Sequence, residues 1–190
     1  LSKAFLELPC NMDGRDLTSI PMVPKQTMVS GTSILSHEQC QHIIFVLDES
    51  GSMQYEWNGV VVAYQNFVAH RLQSQFAADL VSVVQFESSA RVTVHQQWIS
   101  DAPKHLGYRG GGTYYTPAAN EACRLALDTP PSHCPVVIFM SDGEADENDA
   151  IFTAQLFKNL NDQIRNKNGS ELSLHVIAFG PGLDQRQLLN

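Results

Sequence analysis

Five oxygen-bearing residues in three short segments are the part of this sequence best suited to chemistry. Asp48, Ser50 and Ser52 alternate along Asp48-Glu49-Ser50-Gly51-Ser52, Thr113 follows Gly110-Gly111-Gly112, and Asp142 stands in Ser141-Asp142-Gly143-Glu144. Read singly, an Asp such as Asp48 is a turn residue or a helix cap, so any argument for a site rests on the whole set. Two carboxylates and three hydroxyls, with no histidine or cysteine among them, select a hard cation: Mg²⁺ first, with Mn²⁺ or Ca²⁺ as alternatives, rather than zinc or copper. Asp48 and Asp142 together balance a divalent charge. Neutral hydroxyls leave much of the ion's pull for a further anion, and an incoming carboxylate can replace one of its waters.

The elements around these residues have to bring them together. The apolar run 43–47 leads straight into Asp48, which reads as a strand over 41–48 buried on both faces. In an open parallel sheet, binding groups gather at the carboxyl ends of such strands. Residues 136–140 form an equally apolar strand that runs into Asp142. Between them, 56–75 reads as a helix with Val60, Tyr64, Phe67, Val68, Arg71 and Leu72 along one face. Residues 80–86 read as a buried strand. Residues 91–95 alternate as an edge strand, too close to the preceding strand for a crossover and hence antiparallel to it. A loop over 100–112 precedes a helix expected to use Thr116 as N-cap and Pro117 as its first residue, running to 128 and burying Ala119, Ala122, Cys123 and Ala126. A third helix over 147–166 is expected to bury Ile151, Ala154, Phe157, Leu160 and Ile164. A strand over 172–179, a turn at Gly180-Pro181-Gly182 and a further helix from Asp184 complete the chain. Strands alternating with helices give an α/β class: a doubly wound, mostly parallel sheet with one antiparallel edge strand and helices on both faces.

The chain has 190 residues, enough for one domain, and 43% of them are hydrophobic, enough for a substantial core. Residues 1–40, broken by Pro9, Pro21 and Pro24, read as an N-terminal extension or linker with a short strand over 26–29. Residues 41–190 read as the domain, cut short in its last helix. The start at Leu1, without a leader, suggests a piece of a larger multidomain protein. Twelve Lys and Arg against twenty Asp and Glu give a net charge of −8, and no basic block is present, so a nucleic-acid partner is excluded. No apolar run approaches the roughly 20 residues of a membrane-spanning helix. Cys10, Cys40, Cys123 and Cys134 form no CxxC pair, which argues against a thiolate zinc site. Whether Cys10 and Cys40 pair is left open. So is localisation, with the cell surface or exterior and the cytoplasm both compatible. Asn168-Gly169-Ser170 fits the glycosylation pattern, a weak signal.

The ordered set Asp48-x-Ser50-x-Ser52, Thr113 and Asp142 resembles the metal-ion-dependent adhesion site of von Willebrand factor type A domains, which include the integrin I domains. The resemblance covers residues 41–190. It implies a Rossmann-like sheet of six strands and direct coordination of the metal by the two serines and the threonine. The two aspartates would act through water or alternate between direct and indirect contact. A partner's Asp or Glu carboxylate would complete the shell, making the domain a metal-dependent adhesion or scaffold module and not an enzyme.

Two other functions compete with this one. Type A domains also occur inside cells, regulating or recruiting a catalytic partner. A Mg²⁺-dependent phosphohydrolase would need an acid two residues after its aspartate, where this chain has Ser50, and a protein kinase or Walker-type NTPase is unsupported because GxxxxGK[ST] is missing. Around the site, Asp142, Glu144, Asp146, Glu147 and Asp149 read as a solvated helix N-terminus or as a surface selecting positive charge on a partner. Tyr55, Trp57, Tyr114 and Tyr115 read equally as partner contacts or as packing beneath the loops. His105 reads as a surface residue.

Overall fold

Residues 40–74, 76–143, 145–168 and 172–179 are described by the structure, a computed structural model. The expected strand over 26–29, Cys10 and everything from Gly180 onward lie outside the described residues. The strands are β1 (Cys40–Asp48), β2 (Leu80–Phe86), β3 (Ala90–Trp98), β4 (His133–Ser141) and β5 (Ser173–Ala178). The helices are α1 (Trp57–Gln73), α2 (Tyr115–Leu127) and α3 (Glu147–Asn168). Among the described residues the sheet has five strands in the order β3-β2-β1-β4-β5, against the six that the resemblance implied. β1 pairs in parallel with β2 and β4, β4 pairs in parallel with β5, and only β2 and β3 are antiparallel.

The apolar run of β1 is explained by its place at the centre of the sheet. Ile44 and Val46 join Val84, Phe86, Val137 and Phe139 beneath α2 and α3. Ile43, Phe45 and Leu47 join Val81, Val83, Ile138 and Met140 on the opposite face, beneath α1. A strand covered on both faces has no wet side, so its sequence cannot alternate. β3, at the edge, does alternate, and it is longer than expected. It continues past a bulge opposite Val81–Val84, where Gln96 takes a φ of 46°.

Three helix expectations change. α1 begins at Trp57 and ends at Gln73. Its buried residues are Trp57, Val60 and Tyr64, while Arg71 leaves the apolar stripe to pair with Asp79 at 2.6 Å. α2 starts one residue before Thr116, and neither its N-cap residue Tyr114 nor Thr116 supplies a side-chain cap. Pro117 is the third helical residue, where its missing N–H still leaves no helical bond unmade. α3 buries Thr153, Phe157, Leu160 and Ile164, while Ile151 and Ala154 face solvent. Phe157, Leu160 and Ile164 pack into the core with α2, and Asp149, on that face, meets the start of α2. The stripe at 149, 153 and 157 then turns inward and carries Ile151 to the opposite side.

At the far end of β1 from Asp48, His42 is fully buried. Its Nδ1 lies 2.7 Å from Thr129 Oγ1 and its Nε2 lies 2.8 Å from Ser82 Oγ. Thr129 donates its own hydrogen to Leu125 O, so it accepts from Nδ1–H. Ser82 accepts from Gln96 N and donates to Nε2. This neutral ring is satisfied on both nitrogens. Burial, with His133 and His95 nearby, lowers its pKa to about 4 despite the opposing effect of Asp128.

Two predictions follow from this packing. Phe139 packs edge-on against Tyr115 and Phe157 with centroids 5.2 and 6.4 Å away. Phe139→Ala should therefore cost about 3–5 kcal/mol of unfolding free energy in urea titration, whereas Ile151→Ser should cost less than about 0.5 kcal/mol. Because unfolded histidine titrates near 6.5, the unfolded chain takes up a proton first as the pH falls. The His42 contribution is complete above pH 6.5 and is lost toward pH 4, by at most about 3 kcal/mol. His42→Gln should flatten the stability profile over that window relative to the wild type.

Candidate functional site

The strand order reverses between the parallel strands β1 and β4, which is where an open α/β sheet forms a crevice beyond its strand ends. Asp48 is the last residue of β1, and Asp142 follows the last residue of β4. The third segment, 102–114, arrives from the edge hairpin and leads into α2. All three segments of the sequence argument thus reach the same end of the sheet, but by different supports.

The first segment folds around the Asp48 carboxylate, which is fully buried. Ser50 N donates to Asp48 Oδ1 at 2.8 Å, a short turn closed by the side chain. Ser141 Oγ donates to Asp48 Oδ2 at 2.6 Å, joining the ends of β1 and β4. With its proton committed there, Ser141 Oγ accepts from the Tyr115 hydroxyl at 2.8 Å and from Gly143 N at 3.1 Å. Burial raises the Asp48 pKa and the neighbouring Asp142 charge raises it further, against the lowering effect of the Ser141 and Ser50 hydrogen bonds. Burial also raises the pKa of Tyr115, which keeps its proton and remains a donor. Ser50 is buried and Ser52 exposed, with their hydroxyl oxygens 3.1 Å apart.

The glycine segment is tied to the first by main-chain bonds. Gly51 N donates to Gly111 O at 2.8 Å, and Gly110 N donates to Glu49 O at 3.1 Å. Gly110 and Gly111 have φ of 77° and 142°, values that favour glycine, and a β-carbon on Gly111 would come within 2.7 Å of Glu87 Oε2. Tyr108 donates its hydroxyl to Ser50 O at 2.8 Å and stacks obliquely on Trp57. Thr113, half-buried, lies between two held amides: Gly112 N donates to Ser88 Oγ at 2.9 Å and Tyr114 N to Glu87 O at 3.0 Å.

Asp142 is half-buried beside Gly143, whose φ is 86°. The acidic run after it is structural in part. Asp146 Oδ1 accepts from Asn148 N and Asp149 N at the start of α3. Asp149 reaches across to α2, accepting from Tyr115 N at 2.5 Å, Thr116 N at 3.1 Å and Thr116 Oγ1 at 2.5 Å. The cap that the sequence assigned to Thr116 is therefore a carboxylate from another helix, and Thr116 is one of its donors. Of the four aromatics, Trp57 and Tyr115 pack beneath the loops, while Tyr55 and Tyr114 are 91% and 52% exposed. His105 is exposed. Among the described residues, no group of three or more His, Cys, Asp or Glu side chains is arranged to hold a metal. The donor set of the sequence argument has only two carboxylates, and its other members are hydroxyls.

The model of the von Willebrand factor type A domain matches residues 42–190. The chain belongs to this family. Solved structures agree on the type A fold. SpaC, a pilus adhesin of Lactobacillus rhamnosus GG in an open conformation, superposes with a TM-score of 0.51 at 18% identity over 56% of this chain and 15% of its own. Proximal thread matrix protein 1 of the mussel byssus superposes with a TM-score of 0.55 at 18% identity over 79% of this chain and 40% of its own. This chain thus spans less than half of either protein, and at such identities the likeness speaks for the fold alone. Comparison with curated protein sequences gave no match.

Two residues of this type A domain escaped the sequence argument. Asp149 looked like any acid in a first helical turn, and only the packing of α2 against α3 reveals its target. Glu49 looked like a spacer between Asp48 and Ser50. Its one local signal is a charged residue next to a wholly buried strand end. Asp149→Ala should lower stability by about 2 kcal/mol and speed hydrogen exchange at the Tyr115 and Thr116 amides, with Asp149→Asn intermediate.

Proposed function

We propose that this type A domain is a protein-binding module, not an enzyme, and that it captures a partner's Asp or Glu through a divalent cation. Asp48, Ser50, Ser52, Thr113 and Asp142 would hold the ion. Mg²⁺ suits these donors best, and Mn²⁺ is a good experimental substitute. The observation that carries the reading is the Gly51–Gly111 hydrogen bond at 2.8 Å, which ties the serine loop to the glycine loop beside the Asp48 and Asp142 charges. Family membership supports it, since the ordered set of residues falls within the matched span.

The donors suit such an ion. Both Asp48 oxygens already accept hydrogen bonds from Ser50 N and Ser141 Oγ, which favours a role through water rather than direct contact. The neighbouring Ser50 and Ser52 hydroxyls offer lone pairs to a single centre. The Asp142 charge raises the Asp48 pKa, and a divalent cation held by both carboxylates would relieve that repulsion. When bound, the ion would act as a Lewis acid bridging to the partner's carboxylate. The protein's part is to hold the donors and leave one position open. Exposed Tyr55 and Tyr114 are available to pack against whatever flanks that carboxylate.

Calorimetric titration with Mn²⁺ should show one site in the wild type. Thr113→Ala and Asp48→Ala should abolish it, with Thr113→Ala leaving the metal-free thermal midpoint within a few degrees of the wild type. Wild-type heat that survives both substitutions would refute the assignment. Turnover of a generic phosphomonoester with Mg²⁺, lost in Asp48→Asn, would instead make the chain a hydrolase. No such turnover is expected, because Ser50 stands where that chemistry needs an acid.

A further inference from the structure

Glu49 is fully buried, one residue from Asp48, and its carboxylate is bound from three directions. Arg91, on the edge strand β3, donates to both oxygens, through Nη1 to Oε1 and through Nη2 to Oε2 at 3.0 Å. Gln85 Nε2 donates to Oε2 at 3.1 Å and to Gly107 O at 2.6 Å. Arg109 N donates to Oε2 at 3.2 Å. The backbone of Glu49 is held as well, its N–H by Phe86 O at 2.8 Å and its carbonyl by Gly110 N at 3.1 Å.

These contacts close a ring. Glu49 grips the near side of the glycine segment at Arg109 and Gly110. The turn between β2 and β3 grips the far side, where Glu87 O and Ser88 Oγ hold the amides on either side of Thr113. Arg91, three residues beyond Ser88, returns from that same hairpin to Glu49. The serine loop, the glycine segment and the edge hairpin thus hold one another at fixed spacing.

We propose that Glu49 and Arg91 are a positioning pair that sets the cation affinity of the site without touching the cation. The inference rests on the cation reading above and adds two residues outside that ligand set. It differs from a simple effect of charge in the sign of one result. Removing the positive charge of Arg91 from the neighbourhood of a cation should tighten binding if charge alone matters. If the bidentate grip on Glu49 keeps the serine and glycine loops in register, removing it should weaken binding.

The test is Mn²⁺ titration by calorimetry on the wild-type chain, Arg91→Gln, Arg91→Lys and the double variant Glu49→Gln/Arg91→Gln. The double variant replaces the whole pair by neutral side chains, leaves no buried charge unpaired and keeps the local net charge constant. It keeps the test open if Arg91→Gln does not fold. Both Arg91→Gln and the double variant should bind Mn²⁺ at least fivefold more weakly. Arg91→Lys should fall between them and the wild type, because an ammonium keeps the charge but loses the planar fork. Wild-type affinity in the double variant, or equal or tighter binding by folded Arg91→Gln, would overturn the positioning role while leaving the cation reading intact. Absence of Mn²⁺ binding by the wild type would overturn both.

Discussion

A carboxylate with no exposed surface sits at the end of the central strand, beside a second carboxylate. Burying an ionised Asp is costly unless its oxygens are fully engaged. At Asp48 that requirement is met by the Ser50 amide on one oxygen and the Ser141 hydroxyl on the other, with Tyr115 and Gly143 orienting Ser141 in turn. Each partner comes from a different place: the same turn, the end of β4, the first residue of α2 and the loop before α3. Satisfying one buried charge therefore fixes how four parts of the chain meet. The Asp142 charge, which raises the Asp48 pKa, is the second carboxylate of the proposed cation site.

The sheet makes this convergence available. β1 is flanked in parallel by β2 and β4, so the chain leaves β1 toward one side and later crosses to the other, opening a crevice at the strand ends. The loops that line the crevice are bonded mainly to one another. Gly51 bonds to Gly111, Glu49 to Gly110 and Arg109, Tyr108 to Ser50, and Asp149 to the start of α2. Several are backbone bonds, whose geometry depends on chain conformation more than on side-chain identity. Gly110 and Gly111, both with positive φ, are parties to these backbone bonds.

Acidic residues divide into distinct tasks here, although they look alike in the sequence. Asp146 caps its own helix, Asp149 caps a neighbouring one, Glu49 binds an arginine, and Asp48 and Asp142 are the carboxylates of the proposed cation site. The net charge of −8 says nothing of this division. Arg91 shows the same limit from the other side. Its alternating strand marks it as a residue on the wetter face of an edge, yet its guanidinium reaches a buried carboxylate.

The sequence by itself determined the features that local patterning encodes. Continuous apolar runs marked β1 and β4, and a valine-rich segment marked β2, because a strand covered on both faces has no solvent side to write as polar. Strict alternation marked β3 as an edge. The order and spacing of Asp48, Ser50, Ser52, Thr113 and Asp142 marked a type A domain. Only the tertiary structure decided which face of α3 turns inward, what caps α2, and what Glu49 and Arg91 do. Each of those depends on a contact between residues 33 to 42 positions apart, set by how the helices and the edge hairpin lie on the sheet. No periodicity within one element records such a contact, so Ile151 was placed inside and Thr116 was given a role that Asp149 performs.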